Sequence, residues 1–321
     1  MQQLRLELRR GWRKPLDERQ DWLGRLSALA GLGAVGAMIV VAAAQPQENG
    51  ASDARGASAA HTTAKTRARA AADDPTWAIG GYSGVANTLR DVVRIASDSG
   101  EVTVRDFDWI GKPFVAPIYY GVRVQRWGSF GQTGTMLDFT HAKAIAKPDD
   151  VARFTGSHKG QALPASAPVR SVFSKLEFSH GHNMLTFNGL LRIGTFFGRL
   201  RPYFGAGAGV SLPHTEVGFA NDNVRTYEYQ FAGFVGQGLG GLEIDLGRTS
   251  VFVEYKFSYA PYDVPLSHEP KGFLLVTDLW RQFTAWWKGE KPPGGRLTVD
   301  LATHHGIAGV MVKTRRTAAA P

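Results

Sequence analysis

The chain has 321 residues, no cysteine and a formal net charge of +9. Without cysteine it can hold no disulfide framework, no thiolate metal site and no cysteine nucleophile, which suits passage through an oxidising compartment. Its 37 lysines and arginines are scattered along the sequence instead of gathered into one stripe. The charge therefore selects no nucleic-acid partner, and anionic lipid attracts the same groups.

Residues 26–44 are uncharged and rich in Ala, Gly and Val; a segment with surplus Arg and Lys precedes them, and Ala42-Ala43-Ala44 ends them. That anatomy predicts an export signal over residues 1–44. The stretch is long enough to cross a bilayer, so an uncleaved hydrophobic anchor is the rival reading. Residues 45–75 hold almost no large apolar side chain, cannot bury a core, and read as a disordered linker.

From Trp77 onward the sequence breaks into short runs that alternate with period 2. In the run Tyr119 to Trp127, Tyr120, Val122 and Val124 share one face while Arg123 and Gln125 share the other. In the run Val251 to Tyr259, Val251, Val253, Tyr255, Phe257 and Tyr259 oppose Phe252, Glu254, Lys256 and Ser258. Further runs begin near Trp77, Thr133, Asn183, Arg201, Tyr227 and Arg296, giving eight in all. Short connections at residues 128–132, 194–200 and 247–250 alternate with long ones, as the tight inner turns and elaborated outer loops of outer-membrane barrels do. The expectation is an all-β fold, an eight-stranded antiparallel transmembrane β-barrel over residues 76–313 with a flexible tail at 314–321, monomeric in the bacterial outer membrane.

Gly205, Gly207 and Gly209 fall on the inward face, where glycine lets a narrow barrel close. Gly236 to Gly241 satisfies G-x-G-x-x-G but continues into Leu242-Glu243-Ile244-Asp245 without a helix, so it is not a nucleotide site, and no flavin or nicotinamide motif is visible. Glu254, Lys256 and Asp300 read as an interior ion-pair network, with His304 and His305 structural. Within residues 272–288, Val276, Leu279, Trp280, Phe283, Trp286 and Trp287 recur at helical spacing against Thr277, Asp278, Arg281 and Gln282. This predicts a short amphipathic helix in the last extracellular loop, lying at the membrane interface or folded as a plug over the mouth.

With the N-terminus on the inner side, the topology brings His141, His180, His182 and His214 to one outer rim. His180 and His182 are i, i+2 and so point the same way in a regular strand, in phase with Thr186 and Asn188; His141 is in phase with Leu137 and Phe139, which puts it on the lipid side unless the strand ends first. Asp138, Glu177, Asn183 and Glu216 are close in sequence. Imidazoles with carboxylates can act as general acid and base or hold a divalent metal, with His180, His182 and His214 as its ligands. The catalytic candidates are thus His141, His180, His182, Glu177, Asn183 and Asp138, and the binding candidates are His214, Glu216, Lys143, Lys175 and Arg281. Rim residues that only hydrogen-bond the loops are the bland alternative.

The segments DWIGKPFVAPIYYGVRVQRW (Asp108 to Trp127), LDFTHAKAIA (Leu137 to Ala146), LEFSHGHNMLTFNGLLR (Leu176 to Arg192) and RPYFGAGAGVSLPHTEV (Arg201 to Val217) resemble the outer-membrane lipid A oxidase family of rhizobia. The resemblance implies O2-dependent oxidation of the proximal glucosamine of 1-dephosphorylated lipid A to 2-aminogluconate, with release of H2O2. It implies lipid A or lipopolysaccharide, outer-membrane lipid and the barrel assembly machinery as partners, and it supplies no residue roles. The long N-terminal tail and the Trp-rich helix depart from a compact barrel. A non-catalytic structural or adhesion barrel is the competing reading, and a pore is disfavoured by interior charge.

Overall fold

The computed structural model describes residues 76–128, 131–223, 225–267, 274–292 and 294–314. The expected export signal, the linker and tail residues 315–321 lie outside the described residues. The first strands are β1 (Thr76–Thr88), β2 (Val93–Ser97), β3 (Gly100–Arg105), β4 (Trp109–Ile110), β5 (Tyr120–Trp127) and β6 (Thr133–Ala146). Then come β7 (Val151–His158), β8 (Gln161–Ala162), β9 (Ser166–Pro168), helix α1 (Val169–Val172), β10 (Phe173–Arg192) and β11 (Leu200–Ser211). The chain continues through β12 (His214–Phe219), β13 (Arg225–Tyr229), β14 (Gly233–Asp245), β15 (Thr249–Leu266), helix α2 (Leu275–Trp287) and β16 (Gly295–Lys313). Among the described residues no helix is long and apolar enough to cross a membrane, which says nothing of crossing by strands.

The fold is all-β and antiparallel. Strands β1, β5, β6, β10, β11, β14, β15 and β16 pair in that order, and β16 pairs back onto β1, closing a ring of eight. Three short turns, 128–132, 193–199 and 246–248, lie at one end of the ring, and the four long connections lie at the other. One expectation fails here: the run near Tyr227 is β13, which pairs with β12 outside the ring, and the sixth ring strand begins at Gly233. An extramural hairpin alternates just as a ring strand does.

Alternation divides the ring wall into two faces. Outward, Ile79, Leu137, Phe187, Val253 and Val310 are each about half exposed. Inward, the short-turn half is packed with charge. Arg123 donates to both Glu254 oxygens at 2.9 Å and to Asp138 at 3.2 Å, and Lys256 donates to Asp138 at 2.8 Å. Tyr203 donates to Glu254 at 2.7 Å, while the Tyr82 ring lies 4.6 Å from the Arg123 guanidinium. Every one of these groups is buried, and their pairing offsets the cost of desolvation. Glu254 and Lys256 take the interior role expected of them. Asp300 does not: it is on the outward face, where the Tyr259 hydroxyl donates to it at 2.6 Å. His304, also outward, pairs with the Tyr255 hydroxyl at 2.6 Å, while His305 faces inward between Tyr119 and Ser258.

Glycine closes the ring where β11 meets β10. A Cβ on Gly207 would lie 2.1 Å from the Phe187 carbonyl oxygen, and one on Gly209 1.9 Å from that of Leu185. No side chain fits there, so the two backbones can approach.

At the loop end the wall continues beyond the ring. β1 leaves β16 at Thr303 and β2 takes its place from Thr298 to Arg296, leading on to β3 and β7. Likewise β11 pairs with residues 184–192 of β10, and β12 takes over at residues 173–177. Inside this extension the charge gives way to an apolar core in which Phe107, Trp109, Phe154, Phe178, Leu297 and Leu301 are buried. Each such side chain contributes roughly 1.5–3 kcal/mol by leaving water, so the long connections are folded structure and not loose loops.

Candidate functional site

The polar residues singled out in the sequence are divided by a bulge in β10. Its register on β6 jumps from Phe178 opposite Ala144 to His182 opposite Ala142, so β10 carries two extra residues there. Gly181, at φ +144°, supplies a backbone conformation that L side chains rarely adopt. The bulge separates the two histidines that a regular strand aims the same way. His182 faces inward, fully buried, and pairs through Nδ1 with the Tyr262 hydroxyl. His180 turns outward, its ring 4.9 Å from that of His214 and its Nδ1 4.0 Å from Glu216.

A polar cluster therefore assembles on the outer face of the wall, at the loop end, across β6, β10, β12 and β13. His141 and Lys143 come from β6, and Lys175, Glu177, His180 and Asn183 from β10. β12 adds His214 and Glu216, and β13 adds Tyr229 and Tyr227, opposite them in register, and Arg225, opposite Gly218. The His214 ring meets the edges or faces of both tyrosines, at 4.4 Å and 4.7 Å between centroids.

At one side of the cluster Asn183 fixes the His141 ring. Its amide nitrogen donates to the Leu212 carbonyl at 3.1 Å, so its oxygen faces His141 Nδ1, at 2.8 Å. That oxygen only accepts, so Nδ1 carries the proton and Nε2 carries a lone pair. Nε2 is buried and has no hydrogen-bond partner among the described residues. The ring is further held by stacking on Tyr120, 4.8 Å between centroids and 20° between planes. An oriented imidazole with an uncommitted nitrogen has the form of a general base, and a substrate proton reaches it only when the side chains covering Nε2 move aside.

At the other side, charge accumulates. Glu177 and Glu216 face each other across the β10–β12 pair. Lys175 bonds Glu177 at 3.0 Å and Arg225 bonds Glu216 at 2.5 Å. Burial first, and then the Glu177 carboxylate opposite, push the Glu216 carboxyl up. With Lys143, whose Nζ donates to the Val115 carbonyl at 2.8 Å, the cluster holds three cations against two carboxyls, a balance that favours an anionic ligand.

The flanks are apolar. On the β5 side Phe114, Val115 and Ile118 are exposed in the segment anchored by Lys143; on the β13 side stands α2.

Of the residues expected at the site, His141, His180, His214, Glu177, Glu216, Asn183, Lys143 and Lys175 come together. Three do not. Asp138 is inside the ring, bound to Arg123 and Lys256. His182 is on the inner face of the wall. Arg281 is on α2, paired with Glu228 and 3.6 Å from Asp278. The expected metal set of His180, His182 and His214 is split by the wall itself. Among the described residues no group of three His, Asp or Glu is arranged to hold a metal ion. Arg225, Tyr227, Tyr229 and Tyr120 belong to the cluster but were not expected there. The period-2 spacing of Arg225, Tyr227 and Tyr229 was a usable signal.

No protein-family model matches this chain, and no curated protein matches it. Among solved structures, the crystal structure of Neisserial surface protein A (NspA) is similar over 74% of this chain and 97% of that one, at 9% sequence identity and a TM-score of 0.34.

Proposed function

We propose that this chain is an eight-stranded β-barrel of the bacterial outer membrane that oxidises the headgroup of outer-leaflet lipid A. The observation that carries the reading is the position of the polar cluster. It is outside the wall, above a belt of exposed Ile, Leu, Phe and Val, where a lipid headgroup would stand while its acyl chains lie along the belt. A soluble protein gains nothing from exposing that belt, and a pore would place its working residues inside.

The family resemblance supplies the chemistry. In the proposed reaction His141 Nε2 takes the proton of the anomeric hydroxyl of the proximal glucosamine. The C1–H bond breaks, its electron pair and proton pass to O2, the proton held by His141 follows, and the products are H2O2 and a lactone, which water opens to 2-aminogluconate. Lys143, Lys175 and Arg225 suit the phosphate that remains on 1-dephosphorylated lipid A. Oxidation adds one oxygen to the lipid.

The test is expression in a host that makes 1-dephosphorylated lipid A, with the lipid weighed by mass spectrometry and peroxide assayed. A folded barrel that leaves the lipid mass unchanged refutes the oxidase reading and leaves a structural or adhesion barrel in its place.

A further inference from the structure

Helix α2 is attached to the protein by its polar side. Among the described strands β13 pairs with β12 alone, so its other edge has backbone groups to satisfy, and side chains of α2 satisfy them in place of a strand. The Tyr229 N–H donates to Asp278 at 3.0 Å and the Phe231 N–H donates to the Gln282 side-chain oxygen at 3.2 Å. Gln282 in turn donates to the Tyr229 carbonyl, and Arg281 pairs with Glu228. Asp278 is the buried residue of the helix, at 2% exposure.

The apolar side consequently faces away. Val276, Trp280, Phe283 and Trp287 follow one another at helical spacing, and Trp280 and Trp287 are 65% and 76% exposed. Ordinary surface helices bury that face and show the polar one to water. Here the arrangement is reversed.

We infer that α2 is an interfacial anchor whose aromatic face enters the outer leaflet at headgroup depth, beside the polar cluster. The helix is continuous with the exposed aromatic surface of the ring wall: Gln282 holds Phe231, and the Phe231 ring meets that of Phe234, at the start of β14, 6.4 Å away. Trp and Phe are the side chains that membrane interfaces retain, and the margin that follows, Lys288-Gly289-Glu290-Lys291, carries a net charge of +1. A second copy is a poor occupant. A helix of 13 residues is about 20 Å long, and one such face falls short of the roughly 1,200 Å² that a stable protein interface buries. This inference rests on the reading of the ring as a membrane barrel and is independent of the oxidase chemistry.

Because the chain has no cysteine, single labels report depth directly. Phe283→Cys, Trp287→Cys, Val253→Cys and Gln161→Cys variants of the full chain, each carrying one fluorophore, are reconstituted into vesicles of phosphatidylcholine and phosphatidylglycerol. Quenching is compared between a headgroup-level nitroxide lipid, a mid-chain nitroxide lipid and aqueous iodide. The expected result is that the labels at 283 and 287 lose most of their emission to the headgroup-level quencher and little to iodide. The label at 253 answers to the mid-chain lipid, and the one at 161, on the exposed β8, answers to iodide alone. If 253 is quenched by lipid while 283 and 287 respond to iodide as 161 does, the anchor is refuted and the barrel stands. If 253 also responds to iodide, both fall. Shielding of 283 and 287 that appears only as protein concentration rises, with label self-quenching, assigns the face to a second copy and overturns the lipid assignment.

Discussion

The ring interior and the outer-wall cluster are both polar and largely buried, yet they are built on opposite rules. Inside, Arg123, Lys256, Asp138 and Glu254 form a network in which each charge meets at least one opposite charge. On the wall, the cations outnumber the carboxyls, Glu177 and Glu216 are set against each other, and His141 Nε2 is left without a partner among the described residues. A fully paired network fixes a shape, and a surplus of charge beside an oriented base leaves capacity for something else. The contrast predicts that damage to the interior is read in stability and damage to the wall in chemistry.

The largest effect on stability is expected from Arg123→Met, which strands Glu254 and half of the Asp138 pairing inside the ring. Breaking a buried pair on one side costs about 3–5 kcal/mol. Urea unfolding followed by gel mobility should register that loss, with lipid product per folded molecule unchanged. The largest effect on chemistry is expected from His141→Ala. Removing a general base lowers the rate by roughly 10²–10⁴; loss of the Asn183 bond and the Tyr120 stack should also cost about 1–3 kcal/mol, so the rate is read per folded molecule. An active His141→Ala would show that the uncommitted nitrogen is idle.

Next in size is the pair that the bulge separates. His180→Ala should weaken lipid modification with little cost in stability, whereas His182→Ala, which leaves the Tyr262 hydroxyl unpaired in the core, should cost about 1–3 kcal/mol and leave the activity of folded molecules intact. Equal loss of activity from both variants would contradict the separation of inner and outer faces. The smallest effect belongs to Glu216. Its folded carboxyl titrates above the unfolded one, so the native state loses stability as pH rises from the unfolded carboxylate value toward the folded one. Glu216→Gln removes that slope, and a set of unfolding midpoints from acid to neutral pH should be flatter for the variant.

Alternation made much of this legible in advance. The inward Arg123 and Gln125, the outward Val122, Val251 and Val253, and the outward phase of His141 all follow from counting by twos. The same count, applied consistently, would have removed Asp138 from the site, since it shares the phase of Met136 and Thr140, which face inward. Two features resisted. β13 alternates as well as any ring strand, so periodicity could not reveal that it pairs outside the ring. The bulge changes which face His180 takes without changing composition, and its one trace in the sequence is the glycine between the two histidines. Convergence of β12 and β13 on β10 depends on pairings between distant segments, which local pattern does not encode.

The lateral bond between α2 and β13 also constrains how the molecule is put together. β13 belongs to the connection between β11 and β14, and α2 to the one between β15 and β16. Neither is complete alone: the hairpin has an unsatisfied edge, and the helix has a buried aspartate in need of a donor. The two connections therefore complete each other, and each supplies polar groups that the other lacks. A strand edge with its N–H and C=O groups open can pair with any extended chain, and α2 occupies that edge with side chains where another strand could otherwise add.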